Sequence, residues 1–200
     1  LTDLPTGKRK VIIVTDGDRI AKRAVEVAAR NVGARCISSS AGNPTTRSGE
    51  ELVELIRRAH MDPVVVMLDD RGYNGMGRGE TALAYIARHP DIQVLGVLAV
   101  ASNTEKVRGC TVDASITCGG GIIDGPVDKW GWPEGGELQE GDTVEVLDSL
   151  NLPLVIGIGD VGKMGGADEA EKGAPLTTSA LKTILDRSGY SVIQQKKGKG

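Results

Sequence analysis

Three stretches of the chain are apolar without a break: Val11-Ile-Ile-Val14, Pro63-Val-Val-Val-Met-Leu68 and Pro153-Leu-Val-Ile-Gly-Ile158. Runs of β-branched residues with no polar alternation mark strands buried on both faces, as in parallel sheets covered by helices. Strands are predicted over Lys10 to Thr15, Ala34 to Ser39, Val64 to Leu68, Gln93 to Ala101 and Leu154 to Ile158. Between them the apolar positions change to helical spacing. Ile20, Ala24, Val27, Ala28 and Val32 give one stripe, with Asp18 as N-cap and Gly33 closing the helix. Leu52, Leu55, Ile56 and Ala59 give a second, opened by Ser48 and Glu51 in a capping box. Glu80 to Arg88, ended by His89-Pro90, and Thr177 to Ser188, ended by Gly189, complete the helices. Strand and helix alternating in this way predict a three-layer α/β fold, a mostly parallel sheet with helices on both faces.

The stretch from Ser102 to Glu140 breaks the rhythm. It is rich in glycine, carries both Trp130 and Trp132, and offers one short strand candidate at Ala114 to Cys118. It reads as an irregular insertion or a small antiparallel excursion. Asp142 to Asn151 suits helix and strand equally. Residues 1–190 are expected to form one domain, with the insertion at about 102–140, and 191–200 a basic flexible tail.

Composition removes several functions. With net charge −3 and both signs spread along the chain, no global field holds nucleic acid, and with aromatic residues at 2% and no Phe, base-stacking platforms are all but excluded. Cys36, Cys110 and Cys118 lack a C-x-x-C spacing, and only His60 and His89 could join them, so a zinc site is not expected. Neither histidine sits where a catalytic base is expected, and no nucleophile elbow is present. No run reaches the roughly 18 apolar residues of a membrane span and no signal peptide is visible, which predicts a soluble protein.

What remains is acidic. All three apolar runs end at aspartate, at Asp16 with Asp18 beyond it, at Asp69-Asp70, and at Asp160. Ligands of parallel sheets gather at the carboxyl ends of the strands, so these five carboxylates would share one rim if the strands are neighbours. Three readings stay open: a magnesium or calcium site built on Asp16, Asp69 and Asp70, a ligand pocket, or capped turns. The first resembles the Toprim arrangement, in which an acid at one strand end and a D-x-D at another bind metal for phosphoryl chemistry. Here Asp replaces the usual Glu, and Arg71 stands where the last acid belongs. After Asp70 a long glycine loop carries Arg71, Tyr73 and Arg78 to a helix start, a setting that favours anions. Gly157-Ile-Gly-Asp-Val-Gly162-Lys163 matches the outline of a phosphate loop, but Met164 replaces the magnesium-binding hydroxyl and Asp160 puts negative charge in the cradle. Trp130 and Trp132 would mark a partner surface if exposed, and would otherwise pack the insertion onto the core.

The stretches Val11-Ile-Ile-Val-Thr-Asp-Gly-Asp18, Ala21-Lys-Arg-Ala-Val25, Arg35-Cys-Ile-Ser38, Ala41-Gly-Asn-Pro-Thr45, His89-Pro-Asp-Ile92 and Ile156-Gly-Ile-Gly-Asp160, in this order, resemble the stage V sporulation protein AE family, in its soluble short form. The likeness spans nearly the whole chain. It agrees with the three-layer, Rossmann-like or Toprim-like sheet read from the pattern of strands and helices. It also implies an accessory subunit of the SpoVA system, which takes dipicolinic acid with calcium into the developing spore and releases it in germination. The expected partners are other SpoVA proteins, including the SpoVAD-type subunit, with the protein peripheral to the spore inner membrane. The family supplies no catalytic residues. The acidic rim and arginine loop make an anion or a calcium chelate the candidate ligand, and a Toprim-like magnesium-dependent phosphoryl-transfer or nucleic-acid enzyme is the alternative function.

Overall fold

A computed structural model describes residues 7–73, 76–102 and 108–190. Seven strands form one sheet: β1 (Arg9–Val14), β2 (Arg35–Cys36), β3 (Val64–Met67), β4 (Ile92–Val100), β5 (Ala114–Ile116), β6 (Ile122–Ile123) and β7 (Val155–Ile158). Their spatial order is β2-β3-β1-β4-β7-β5-β6, and every pairing is parallel except β5 with β6. Four α-helices accompany them: α1 (Arg19–Asn31), α2 (Gly49–Arg58), α3 (Arg78–Arg88) and α4 (Pro175–Arg187). The layout is Rossmann-like.

The unbroken apolar runs are explained by which side each residue faces. In β1, Ile12 and Val14 join α1 and α4 in one core, with Ala24, Ala28, Leu181 and Ile184. Val11 and Ile13 join α2 and α3 in the other, with Leu52, Ile56, Leu83 and Ile86. Successive strand residues point to opposite faces, so a central strand covered twice has no position to spare for a polar side chain.

Two expectations change. The second strand was predicted over Ala34 to Ser39. Only Arg35–Cys36 pairs, and a 3-10 turn takes over at Ser38–Ser40 because the Ser40 hydroxyl donates to Ile37 O and accepts from Met67 N. The insertion is not purely antiparallel either. Its strand β5 pairs parallel with β7 and extends the main sheet, while the two-residue β6 and the isolated bridges Cys110–Gln139 and Val127–Pro133 are antiparallel. Gln139, fully buried, fastens it: its amide donates to Ile158 O while its carbonyl accepts from Val127 N. The ambiguous stretch after Asp142 contains a 3-10 turn at Leu147–Ser149. The basic tail at 191–200 lies outside the described residues.

Candidate functional site

The order of strands places β1 and β3 side by side and sets β7 beyond β4. Asp16 and Asp69 therefore leave adjacent strands, and Asp160 leaves a strand one place removed. A cleft of about 320 Å³ opens between them, bordered by Asp16, Asp18, Asp69, Asp142, Asp160, Arg71, Lys129 and Lys163. Ligand clefts of parallel sheets occur at this end.

Most of the carboxylates are already employed by the backbone. Asp18 N-caps α1, accepting from Ile20 N and Ala21 N at 2.8 Å each. Asp69 accepts from Arg71 N at 2.6 Å and Gly17 N at 3.2 Å, tying its own turn to that of β1. Asp70 faces away from the cleft's centre and holds the start of α3, accepting from Gly79 N at 2.6 Å and Glu80 N at 2.9 Å. A Cβ at Gly77 would sit 2.1 Å from the Asp70 carboxylate, so the glycine loop is what lets the helix start come so close. Arg78 also leaves the rim, donating to Thr46 O on the outer side of the loop.

Lys163 holds the two halves together, donating to Asp18 at 2.8 Å and to Asp160 at 2.9 Å across the end of β4. Desolvation works against its charge, but the two carboxylates more than offset this and raise its pKa. Asp18 in turn is desolvated, yet Lys163 and the helix amides hold it below the usual carboxylate range. The phosphate-loop outline has a packing explanation. A Cβ at Gly157 would meet Ser115 Oγ at 2.2 Å, and one at Gly159 would meet Gly131 N at 2.7 Å. The glycines make room for the insertion, and the lysine serves two aspartates.

Three carboxylates keep chemical tension. Burial, then the Asp18 charge, pushes Asp16 well above the usual range. Burial pushes Asp69 up to about 6 and raises Asp142. Asp142, which also accepts from Gly72 N at 2.5 Å, was not singled out from the sequence, where it begins the ambiguous segment. Thr15, Thr45 and Thr143 were also missed. Their hydroxyls bond Val100 N, Asp69 N and Asp70 N, so they pin the strand ends. Among the described residues no group of three or more His, Cys, Asp or Glu side chains is arranged to hold a metal ion. The trio Asp16, Asp69 and Asp70 loses its third member because Asp70 is turned onto α3.

Beside the rim stands the loop of the two tryptophans. The Asp128 carboxylate accepts from Trp130 N and Trp132 N at 2.9 Å each, and Asp128 N donates to Trp132 O. Cys118 N donates to Gly131 O and Asp160 N to Lys129 O, so the loop is built onto the ends of β5 and β7. On this fixed backbone Trp130 is 51% and Trp132 63% exposed, with Lys129 Nζ 4.8 Å from the Trp130 ring. The packing alternative is therefore set aside. No described helix is long and apolar enough to cross a membrane.

A family model described as Stage V sporulation protein AE1 matches residues 10–188. No curated protein and no solved structure matches the chain.

Proposed function

The chain belongs to the stage V sporulation protein AE1 family and so is a sporulation-related SpoVA subunit; from that premise we propose that it is an accessory, non-catalytic subunit in the handling of dipicolinic acid and its calcium chelate. It works by contact, docking on other SpoVA proteins, the SpoVAD-type subunit among them, at the surface of the spore inner membrane. The observation that carries this reading is the Trp130–Trp132 loop. Two large apolar side chains stand in water on a backbone whose amides are held by Asp128. Rigid exposed aromatics lose little entropy on binding and are the usual anchors of protein interfaces.

The rim fits the same role as a place for a charged ligand. Asp16, Asp18, Asp69 and Asp160 face Arg71 and Lys163 across one cleft, with Asp70 and Arg78 behind it. Carboxylates suit the cation of a chelate and Arg71 suits its anionic part.

The test is recovery of partners from spore inner membranes with the full-length protein and with Trp130→Ala/Trp132→Ala. At least a tenfold loss is expected, and unchanged recovery by the folded double variant would sink the reading. Calorimetry with calcium, magnesium and calcium dipicolinate, repeated on Asp16→Ala and Asp69→Ala, tests the rim. Heat with dipicolinate chelate that both substitutions abolish supports it, and absence of heat with the native protein removes the ligand while leaving the docking role.

A further inference from the structure

Two clefts of about 530 and 560 Å³ lie on the α2–α3 side of the molecule, the first backing onto the rim through the turn at Asp70 to Tyr73, and neither is lined by the tryptophans. Both include Met76 and Thr81, so they form one groove running along α3, from Pro44 and Arg47 at the start of α2 to Arg88 and Pro90 at the end of α3. Its walls carry Tyr73, Met76 and Tyr85, exposed by 62%, 66% and 41%. In a chain with three tyrosines and four methionines, this concentration departs from an ordinary solvated surface. Tyr85 is held in place: its ring lies over Gly49, where an added Cβ would come within 2.7 Å of it, and against His89 at 5.8 Å between centroids.

The charges are one-sided. Among the described residues Arg47, Arg78 and Arg88 border the groove and no Lys or Glu lines it; Glu50, Glu51 and Glu54 line a separate cleft that shares Arg47, and the groove's carboxylate, Asp70, is buried and occupied by the amides of Gly79 and Glu80. Among the described residues none of the three arginines is in an ion pair, in a protein whose net charge is −3. Tyr, Met and Arg enriched, with Lys, Glu and Asp depleted, is the composition that separates the core of a protein interface from the rest of a surface.

We propose that this groove docks an acidic amphipathic segment of a protein partner, its apolar side chains seated between Tyr73, Met76 and Tyr85 and its carboxylates on Arg47, Arg78 and Arg88. Arginine suits this role because its planar fork meets a carboxylate in a bidentate pair that a lysine cannot form. With the tryptophan loop on another face, the protein would engage two segments at once.

The test uses the full-length protein in sporulating cells, with the photo-crosslinker p-benzoylphenylalanine placed at Tyr85 in one strain and at Trp132 in another, and the cross-linked peptides sequenced by mass spectrometry. From position 85 the expected product is a protein segment with at least about three carboxylates within roughly ten residues and apolar residues at helical spacing. Its yield should fall at least about tenfold when Arg88→Glu is added, an exposed side chain at the end of α3 that is in no ion pair among the described residues. Arg78→Gln should lower it less, and products from position 132 should be unchanged. Cross-links from position 85 to lipid, to a basic or uncharged segment or to a second copy overturn the proposal, as does a yield indifferent to Arg88→Glu. Products from position 132 without any from position 85 overturn the groove and leave the tryptophan reading standing. Products from neither position overturn both.

Discussion

The rim and the tryptophan loop each place residues against their preference, and they resolve the conflict in opposite ways. At the rim, carboxylates are withdrawn from water, and the protein answers with its own groups: helix amides at Asp18, turn amides at Asp69, the start of α3 at Asp70, and Lys163 between Asp18 and Asp160. At the loop, indole rings are left in water and only the backbone is satisfied. Buried polar groups have to be paired for the fold to stand, whereas exposed apolar groups can wait for a partner. On the proposed reading the first region is chiefly answerable to stability and the second to association.

Breaking the internal pairing should have the largest effect. Asp168, fully buried in the turn after β7, accepts from Gly162 N, Leu176 N and Thr177 N and from the Thr177 hydroxyl. Asp168→Ala leaves three amides without a partner and is expected to destabilise by on the order of 4 kcal/mol, read as a fall in melting temperature of roughly 10 °C. A loss of under about 1 kcal/mol would show that water substitutes freely and that the contrast between the regions is weaker than drawn.

Next comes pH. Burial holds Asp69 near 6 in the native state against an ordinary carboxylate value of 3.8, and raises Asp16 and Asp142 as well. Between those values the native protein binds more protons than the unfolded chain, so stability falls as pH rises from about 4 to 6 and returns on acidification. The Asp69 contribution is on the order of 3 kcal/mol. Melting temperature should rise from pH 7 to about pH 5, and Asp69→Asn should flatten that rise while keeping one of the two amide bonds. A flat native profile would mean that the rim carboxylates are solvated.

Smaller is the effect of freeing the loop. Asp128→Ala removes two amide partners at a half-open position and should destabilise by about 1 kcal/mol, while weakening partner recovery more than stability suggests because the indoles are no longer presented together. Last, Trp130→Ala/Trp132→Ala should shift stability by under about 0.5 kcal/mol, as expected of exposed side chains, in the same protein whose partner recovery collapses. A larger destabilisation would place the rings in the fold's own account and erase the comparison.

Much of this was legible in the sequence where one residue suffices to state the rule. The runs at Val11, Val64 and Leu154 show strands covered on both faces, and Asp18 and the Ser48–Glu51 box mark helix starts that the structure reproduces, both caps included. What stayed hidden depends on partners far along the chain. Lys163 reads as part of a phosphate loop until the sheet order brings Asp18 to it, 145 positions away. Asp70 reads as a second rim acid until the glycines at 77 and 79 fold α3 back onto it. The parallel pairing of β5 with β7 rests on Gln139 and on the missing side chain of Gly157, neither of which has a local signature.

Among the described residues the sheet ends at both margins in strands of two residues, β2 on one side and the antiparallel β6 on the other. An edge that short offers a neighbour too few free amides and carbonyls to template another strand. Growth by strand addition, the route to fibres and runaway stacking, is therefore closed at either border. Association is left to side chains, whose shapes and charges choose their companions, so a protein of this build can be packed densely among its own copies and still assemble only where it is meant to.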